Sequence, residues 1–139
     1  MANPQYVEVG KLFFEEGLPG FSHLQFFRLL QEEKGSPFYS LESVEDPQVG
    51  FWVVDPFAFF ADYEFELQEQ AKASLHISQE TPVVVLNIVT PRPNQQITVN
   101  LKAPIIVNQV NRMAKQVILR EEIYDVRQPL LPVRQAASK

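Results

Sequence analysis

The chain contains no cysteine. That excludes both a disulfide framework and a thiolate metal site, and it fits a reducing cytoplasm. Histidine is nearly as scarce, with His23 and His76 the only two. They lack H-x-x-x-H spacing, which leaves zinc without a ligand set. All five glycines lie at or before residue 50, and none forms a G-x-G-x-x-G or G-x-x-x-x-G-K pattern. A phosphate-cradling loop therefore has no support, nor does a nucleophilic serine, because no G-x-S-x-G elbow exists. Long apolar runs are missing too. The longest are Phe57 to Ala61 and Val83 to Leu86, against the ~20 residues that span a bilayer. The start, Met1-Ala-Asn-Pro-Gln-Tyr, has no basic stretch followed by an apolar one, so no signal peptide is expected. Cofactor-free, cytoplasmic and away from membranes is the resulting expectation.

What is present describes ordinary globular material. At 139 residues, 45% hydrophobic and 21% charged, the chain is expected to form a single domain over 1–139, with a polar tail from about residue 130. Eleven prolines favour chain reversals over long helices. Charge is unevenly placed. Residues 1–80 carry fourteen acidic and four basic side chains, and residues 81–139 carry three and eight. Such asymmetry either steers a basic partner to one face or is neutralised internally on folding. A net charge of −5 argues against direct nucleic-acid binding.

Short β-branched and aromatic runs between turn residues predict a mainly β domain. Tyr6–Val9, Leu24–Leu30, Phe38–Val44 and Val49–Val54 read as strands, and Asp55-Pro56 stops the last of these because proline cannot donate into a ladder. Gly17-Leu18-Pro19-Gly20 is a constrained turn. Val83–Thr90, apolar on both faces, reads as a central buried strand. Pro91 to Asn94 then reads as a stiff loop, and Ile97–Leu101, Ile105–Val110 and Gln116–Leu119 as a meander. One helix is expected over Gln68–Ile77, from Leu67, Ala71 and Leu75 at i, i+4 and i+8, although Gln68 is a poor N-cap. The fold class is an antiparallel small barrel-like or sandwich domain with one or two short helices.

The densest stretch is Gly50 to Phe65, GFWVVDPFAFFADYEF. Phe51 to Val54 should be a buried strand, and Phe57 to Ala61 a compact aromatic link with room for one helical turn. From Asp62 to Leu67 the pattern has period two: extended, it would place Tyr63, Phe65 and Leu67 on one face and Asp62, Glu64 and Glu66 on the other. Two carboxylates drawn from Asp55, Asp62 and Glu64 could serve a glycoside hydrolase, but alternating strand acids are far more often a solvated face. The aromatics Phe51, Trp52, Phe57, Phe59 and Phe60 are more often core than cofactor pocket. Those left exposed would mark a protein-binding patch. A small-ligand β-barrel carrier is the alternative reading, and it requires an internal cavity.

Several motifs in order resemble the flagellar assembly factor FliW family. They are Gly17-Leu18-Pro19-Gly20-Phe21; Ser36-Pro37-Phe38-Tyr39 with Leu41 and Ser43-Val44-Glu45; Asp55-Pro56 leading to Asp62-Tyr63-Glu64-Phe65; Val84 to Thr90; Thr98 to Ile105; and Gln116 to Leu119. Each is weak alone, but their order and spacing over roughly residues 12–129 are specific. The segment before Gly17 is shorter than usual, so the first strand pair is expected to be abbreviated. The resemblance implies a cytoplasmic regulator without enzymatic activity. It would bind new flagellin in a chaperone-like way and, when flagellin is scarce, bind and antagonise the RNA-binding translational repressor CsrA. The partner-facing set is then expected in the turn after the Val49–Val54 strand: Asp55, Pro56, Phe57, Phe60, Asp62, Tyr63 and Glu64.

Overall fold

The computed structural model describes residues 6–130. The expected polar tail from about residue 130 lies almost wholly outside them. Nine strands run in order: β1 (Val7–Phe13), β2 (Phe26–Gln31), β3 (Phe38–Ser43), β4 (Gly50–Val54), β5 (Val83–Arg92), β6 (Gln96–Val99), β7 (Ile105–Asn108), β8 (Ala114–Gln116) and β9 (Gln128–Pro129). One helix, α1 (Glu69–Leu75), and 3-10 turns at Pro56–Ala58 and Pro93–Gln95 complete the secondary structure. Every ladder is antiparallel.

The first four strands form a meander, each paired with its successor. The first pair is not abbreviated: β1 matches β2 from Val7–Gln31 to Phe13–Phe26, with a register shift between Glu8 and Gly10. Turn chemistry at Gly17 fits its sequence. Its φ is 66°, and an added Cβ would sit 2.5 Å from the Phe21 carbonyl oxygen, so only glycine fits there.

β5 is the central strand expected, but it is a junction rather than part of a simple meander. On one side it pairs with β4 through Trp52–Val89, Val53–Ile88 and Val54–Asn87. On the other, its second half pairs with β6 and its first half with β7. Consecutive β6 and β7 therefore do not pair with each other. They are two stretches of one partner to β5, broken by a turn at Asn100, whose Oδ1 accepts the N–H groups of Lys102 and Ala103 (3.1 and 3.0 Å). The stiff loop expected at Pro91 begins later, because β5 continues to Arg92.

The two branches end differently. β6 pairs with β9, and β7 with β8. β8 curls toward β1, yet the two meet only at a parallel bridge between Phe13 and Met113, where Phe13 N–H donates to the Arg112 carbonyl at 2.9 Å. The sheet is thus not a closed barrel.

Side-chain alternation sorts the apolar residues into two cores. One face of the meander supplies Leu12, Phe27, Leu29, Leu41 and Val53, packed on Leu86, Ile105, Val107 and Ala114. The opposite face supplies Val54, Val89 and Val99, covered by Tyr63, Leu101, Leu119 and Leu130. This second cover does not extend over all of its face. Trp52, expected to be buried, is instead 45% exposed, because it points to the uncovered side while Phe51 and Val53 point to the first core.

Helix α1 buries Ala71 and Leu75, the spacing expected from the sequence, and Gln68 makes no side-chain cap. The helix closes at His76, with φ 58° and its N–H donating to Ala73 O.

Candidate surface from Asp55 to Glu64

Asp55 ends β4 and caps the turn that follows. Its Oδ1 accepts the Phe57 N–H at 3.0 Å, satisfying one of the donors left unpaired at a helical start. Pro56 occupies the first position, where a missing N–H costs nothing. Phe60 N–H donates to Pro56 O (2.8 Å) and Tyr63 N–H to Phe60 O (3.0 Å), so the chain leaves β4 in two tight turns.

Asp62 lies in the second of these turns, and residues 63–67 then run outside any helix or strand, beside Glu121 and Tyr124. Exposure alternates as the sequence predicts: Asp62, Glu64 and Glu66 are exposed, Tyr63 is buried, and Phe65 and Leu67 are half-buried. No strand ladder forms. The Tyr124 hydroxyl donates to the Glu64 carbonyl (2.7 Å) and accepts the Glu64 N–H (3.0 Å). The Glu121 carboxylate accepts the Glu66 N–H (3.2 Å). Two side chains thereby stand in for a neighbouring strand.

Tyr63 anchors the segment. Its hydroxyl donates to Leu101 O at 2.7 Å and accepts from Asn87 Nδ2 at 3.2 Å. Its ring packs edge-on against Tyr124, centroids 4.8 Å apart. Burial, chiefly, pushes the phenol pKa up to about 12, since a phenolate there would lose its hydration.

Of the seven residues expected to face a partner, Pro56 and Tyr63 are buried, and the Tyr63 hydroxyl ties the segment to Leu101 and Asn87. Phe57 is 47% exposed, Asp62 and Glu64 are exposed, and Asp55 and Phe60 are half-buried. Among the described residues neither Asp62 nor Glu64 joins an ion pair. Sequence reading missed Tyr124 and Glu121, about sixty residues downstream; nothing in their spacing pointed to the segment they support.

The three ion pairs found are Arg28–Glu8, Lys72–Glu69 and Lys115–Glu16. Only the last joins the acidic half to the basic half, so pairing does little to cancel the asymmetry among the described residues. Nor do those residues bring three metal-ligating side chains together. His23 and His76 are both exposed. Apolar side chains make up both cores, and the larger surface hollows open to solvent. Among the described residues, no helix is long and apolar enough to cross a membrane.

Fold and surface together define an open antiparallel β domain that presents one exposed aromatic, Phe57, and carboxylates outside any ion pair among the described residues on a turn braced from beneath. Comparison with known proteins narrows this class. The family model described as FliW protein matches residues 2–130. The flagellar assembly factor FliW of Carboxydothermus hydrogenoformans is 42% identical over 118 residues, covering 84% of this chain and 76% of the relative. That of Bacillus subtilis is 42% identical over 120 residues, covering 86% and 84%. A crystal structure of the flagellar assembly factor FliW superimposes with a TM-score of 0.81 at 36% identity, covering 95% of this chain and 90% of the other. The chain belongs to the FliW family.

Proposed function

We propose that the chain is a cytoplasmic flagellar assembly factor, without enzymatic activity, that binds newly made flagellin and keeps it soluble for export. When flagellin is scarce, it binds a CsrA-type RNA-binding repressor instead and relieves repression of flagellin synthesis. Competition between the two partners makes free factor a readout of flagellin level by mass action.

One observation carries the assignment to this surface. Asp62 and Glu64 stand exposed and outside any ion pair among the described residues, beside exposed Phe57, on a segment that Tyr63 and Tyr124 hold in place. Carboxylates arranged in advance suit a basic RNA-binding protein, and an adjacent aromatic suits an apolar flagellin segment. Asp55, Phe57, Phe60, Asp62 and Glu64 make up the contact set, and Pro56 and Tyr63 support it.

The test is binding of the purified chain to flagellin and, separately, to CsrA. Binding to neither at roughly micromolar concentration would sink the reading. Reversing Asp62 and Glu64 to lysine should weaken CsrA binding and flatten its dependence on salt. Asp55 is left intact in that variant because it caps the turn. Unchanged affinity and salt dependence would place the contact elsewhere.

A further inference from the structure

Past the bridge between Phe13 and Met113, the outer side of β8 and of the residues that follow it to Leu119 has no strand partner among the described residues. Asn108 N–H donates to Met113 O, Val117 N–H to Pro104 O and Leu119 N–H to Lys102 O, each at 2.9 Å, and Lys115 lies opposite Ile106. Odd-numbered residues from 113 to 119 thus turn their backbone groups toward β7 and the residues leading into it. By the alternation of an antiparallel strand, Gln116 and Ile118 turn theirs away. β8 has no second strand partner among the described residues, and neither of those two amides donates to a protein acceptor there. The Ile118 side chain is 71% exposed.

The free side borders a groove. An open hollow of ≈180 Å³ lies along Lys115 to Leu119, with Leu67, Gln68, Gln70 and Ala71 as its far wall. It shares that wall with a second hollow of ≈490 Å³ reaching Arg120 and Glu121.

Other sheet edges are guarded by a bulge or a proline; this one, a three-residue strand whose single charge, Lys115, pairs with Glu16, has neither. β1 shifts register at Gly10, where the Arg112 guanidinium packs so closely that an added Cβ would sit 2.9 Å from Nη1. β9 is two residues long and ends in Pro129, which has no N–H to offer. Bulges, charge and proline are the usual guards of an edge. Met113 to Leu119 has neither glycine nor proline, and its pairing with β7 shows no register shift.

We propose that the Gln116–Ile118 edge is a strand-addition site that takes an extended polypeptide segment of a partner, laid between β8 and the α1 wall. A helix would not serve, because its backbone groups are already satisfied internally. An extended chain pairs with the two outward amides and carbonyls, and every second side chain meets Leu67, Ala71 and Ile118. At the far mouth Glu69 is paired with Lys72, which leaves Glu66 and Glu121 against Arg120, a net negative charge that calls for a basic residue at that end of the segment. This edge is distinct from the Asp55–Glu64 surface, and the proposal does not rest on that surface binding flagellin or CsrA.

A phage-displayed library of random peptides about seven residues long is panned against the full chain, and the enriched peptides are synthesised. Alternating apolar sequences with a terminal basic residue should emerge and slow deuterium exchange at the Gln116 and Ile118 amides by about tenfold or more. Methylating alternate peptide nitrogens should abolish binding. Ile118→Pro, which removes an outward N–H, should do the same while leaving thermal unfolding unchanged. Since N-methylation alters only the ligand, the test survives a misfolded variant. The proposal is overturned if no peptide is enriched, if enriched peptides leave both amides unprotected, or if methylated peptides bind equally well. Sedimentation of the free chain as a dimer with these amides already protected would also overturn it, by making a second copy the occupant.

Discussion

Tyr63 shows how one hydroxyl can position a surface it never joins. Tyr63→Phe keeps the ring against Tyr124 but removes two hydrogen bonds, leaving the buried Leu101 carbonyl without its donor. A loss of about 1–3 kcal/mol is expected in denaturant unfolding. The phenol's pKa is raised in the fold, so its contribution is complete below the ordinary tyrosine range near 10 and is lost as pH climbs toward about 12. The wild-type advantage over Tyr63→Phe should therefore shrink on that alkaline limb. Glu45 gives the opposite sign. Its carboxylate accepts the N–H groups of Phe26 (2.9 Å) and Gln25 (2.7 Å), and these bonds hold its pKa below the usual carboxylate range. Its stabilisation is present above that range and fades as pH falls through the lowered value. Thermal unfolding of wild type and Glu45→Gln should differ at about pH 7 and converge toward about pH 3.

Among the elements, α1 depends on Asn108 more than on its own sequence. Seven residues without a side-chain N-cap make a weak helix alone. Asn108, buried at the end of β7, donates from Nδ2 to Leu75 O (2.8 Å) and His76 O (3.3 Å) and accepts the Val110 N–H (2.8 Å). It thus closes the helix and shapes the β7–β8 hairpin at once. Asn108→Ala should cost about 2 kcal/mol and speed hydrogen exchange in α1 before the rest of the molecule. The helix itself was legible, because Ala71 and Leu75 follow from periodicity, and so was β5 from its doubly apolar run. Pairing partners were not. Nothing local distinguishes β6 and β7 following one another from both following β5, since that choice is made by the Asn100 turn and by burial of Leu86 and Val89 on opposite faces. β9 escaped notice because a two-residue strand ending in proline has no pattern to read. For the candidate surface, alternation from Asp62 to Glu66 was legible, but its bracing by Tyr124 and Glu121 depends on residues distant in sequence.

For the whole molecule, depth of burial rather than side-chain size sets what each aromatic contributes. Phe27 is fully buried and stacks edge-on against Phe14, with centroids 5.3 Å apart. Phe27→Ala should cost about 3–5 kcal/mol. Trp52→Ala, on a half-exposed side chain, should cost less than about 2 kcal/mol, despite tryptophan's greater size. Parallel urea titrations would rank the two. Reversal of that order would mean that the face around Trp52 is covered in solution.

The junction at β5 also bears on how the chain is made. Apart from the single Phe13–Met113 bridge, strands β1 to β4 pair with sequence neighbours, so this meander needs no distant segment to form its ladders. Their inner face, however, is covered by Leu86, Ile105, Val107 and Ala114, which are synthesised later. A nascent chain that formed this sheet early would hold it with a bare apolar face until the last of these emerged, the interval in which such surfaces are most prone to misassociate. A protein proposed to shelter another newly made chain would then pass through the same exposed stage during its own synthesis.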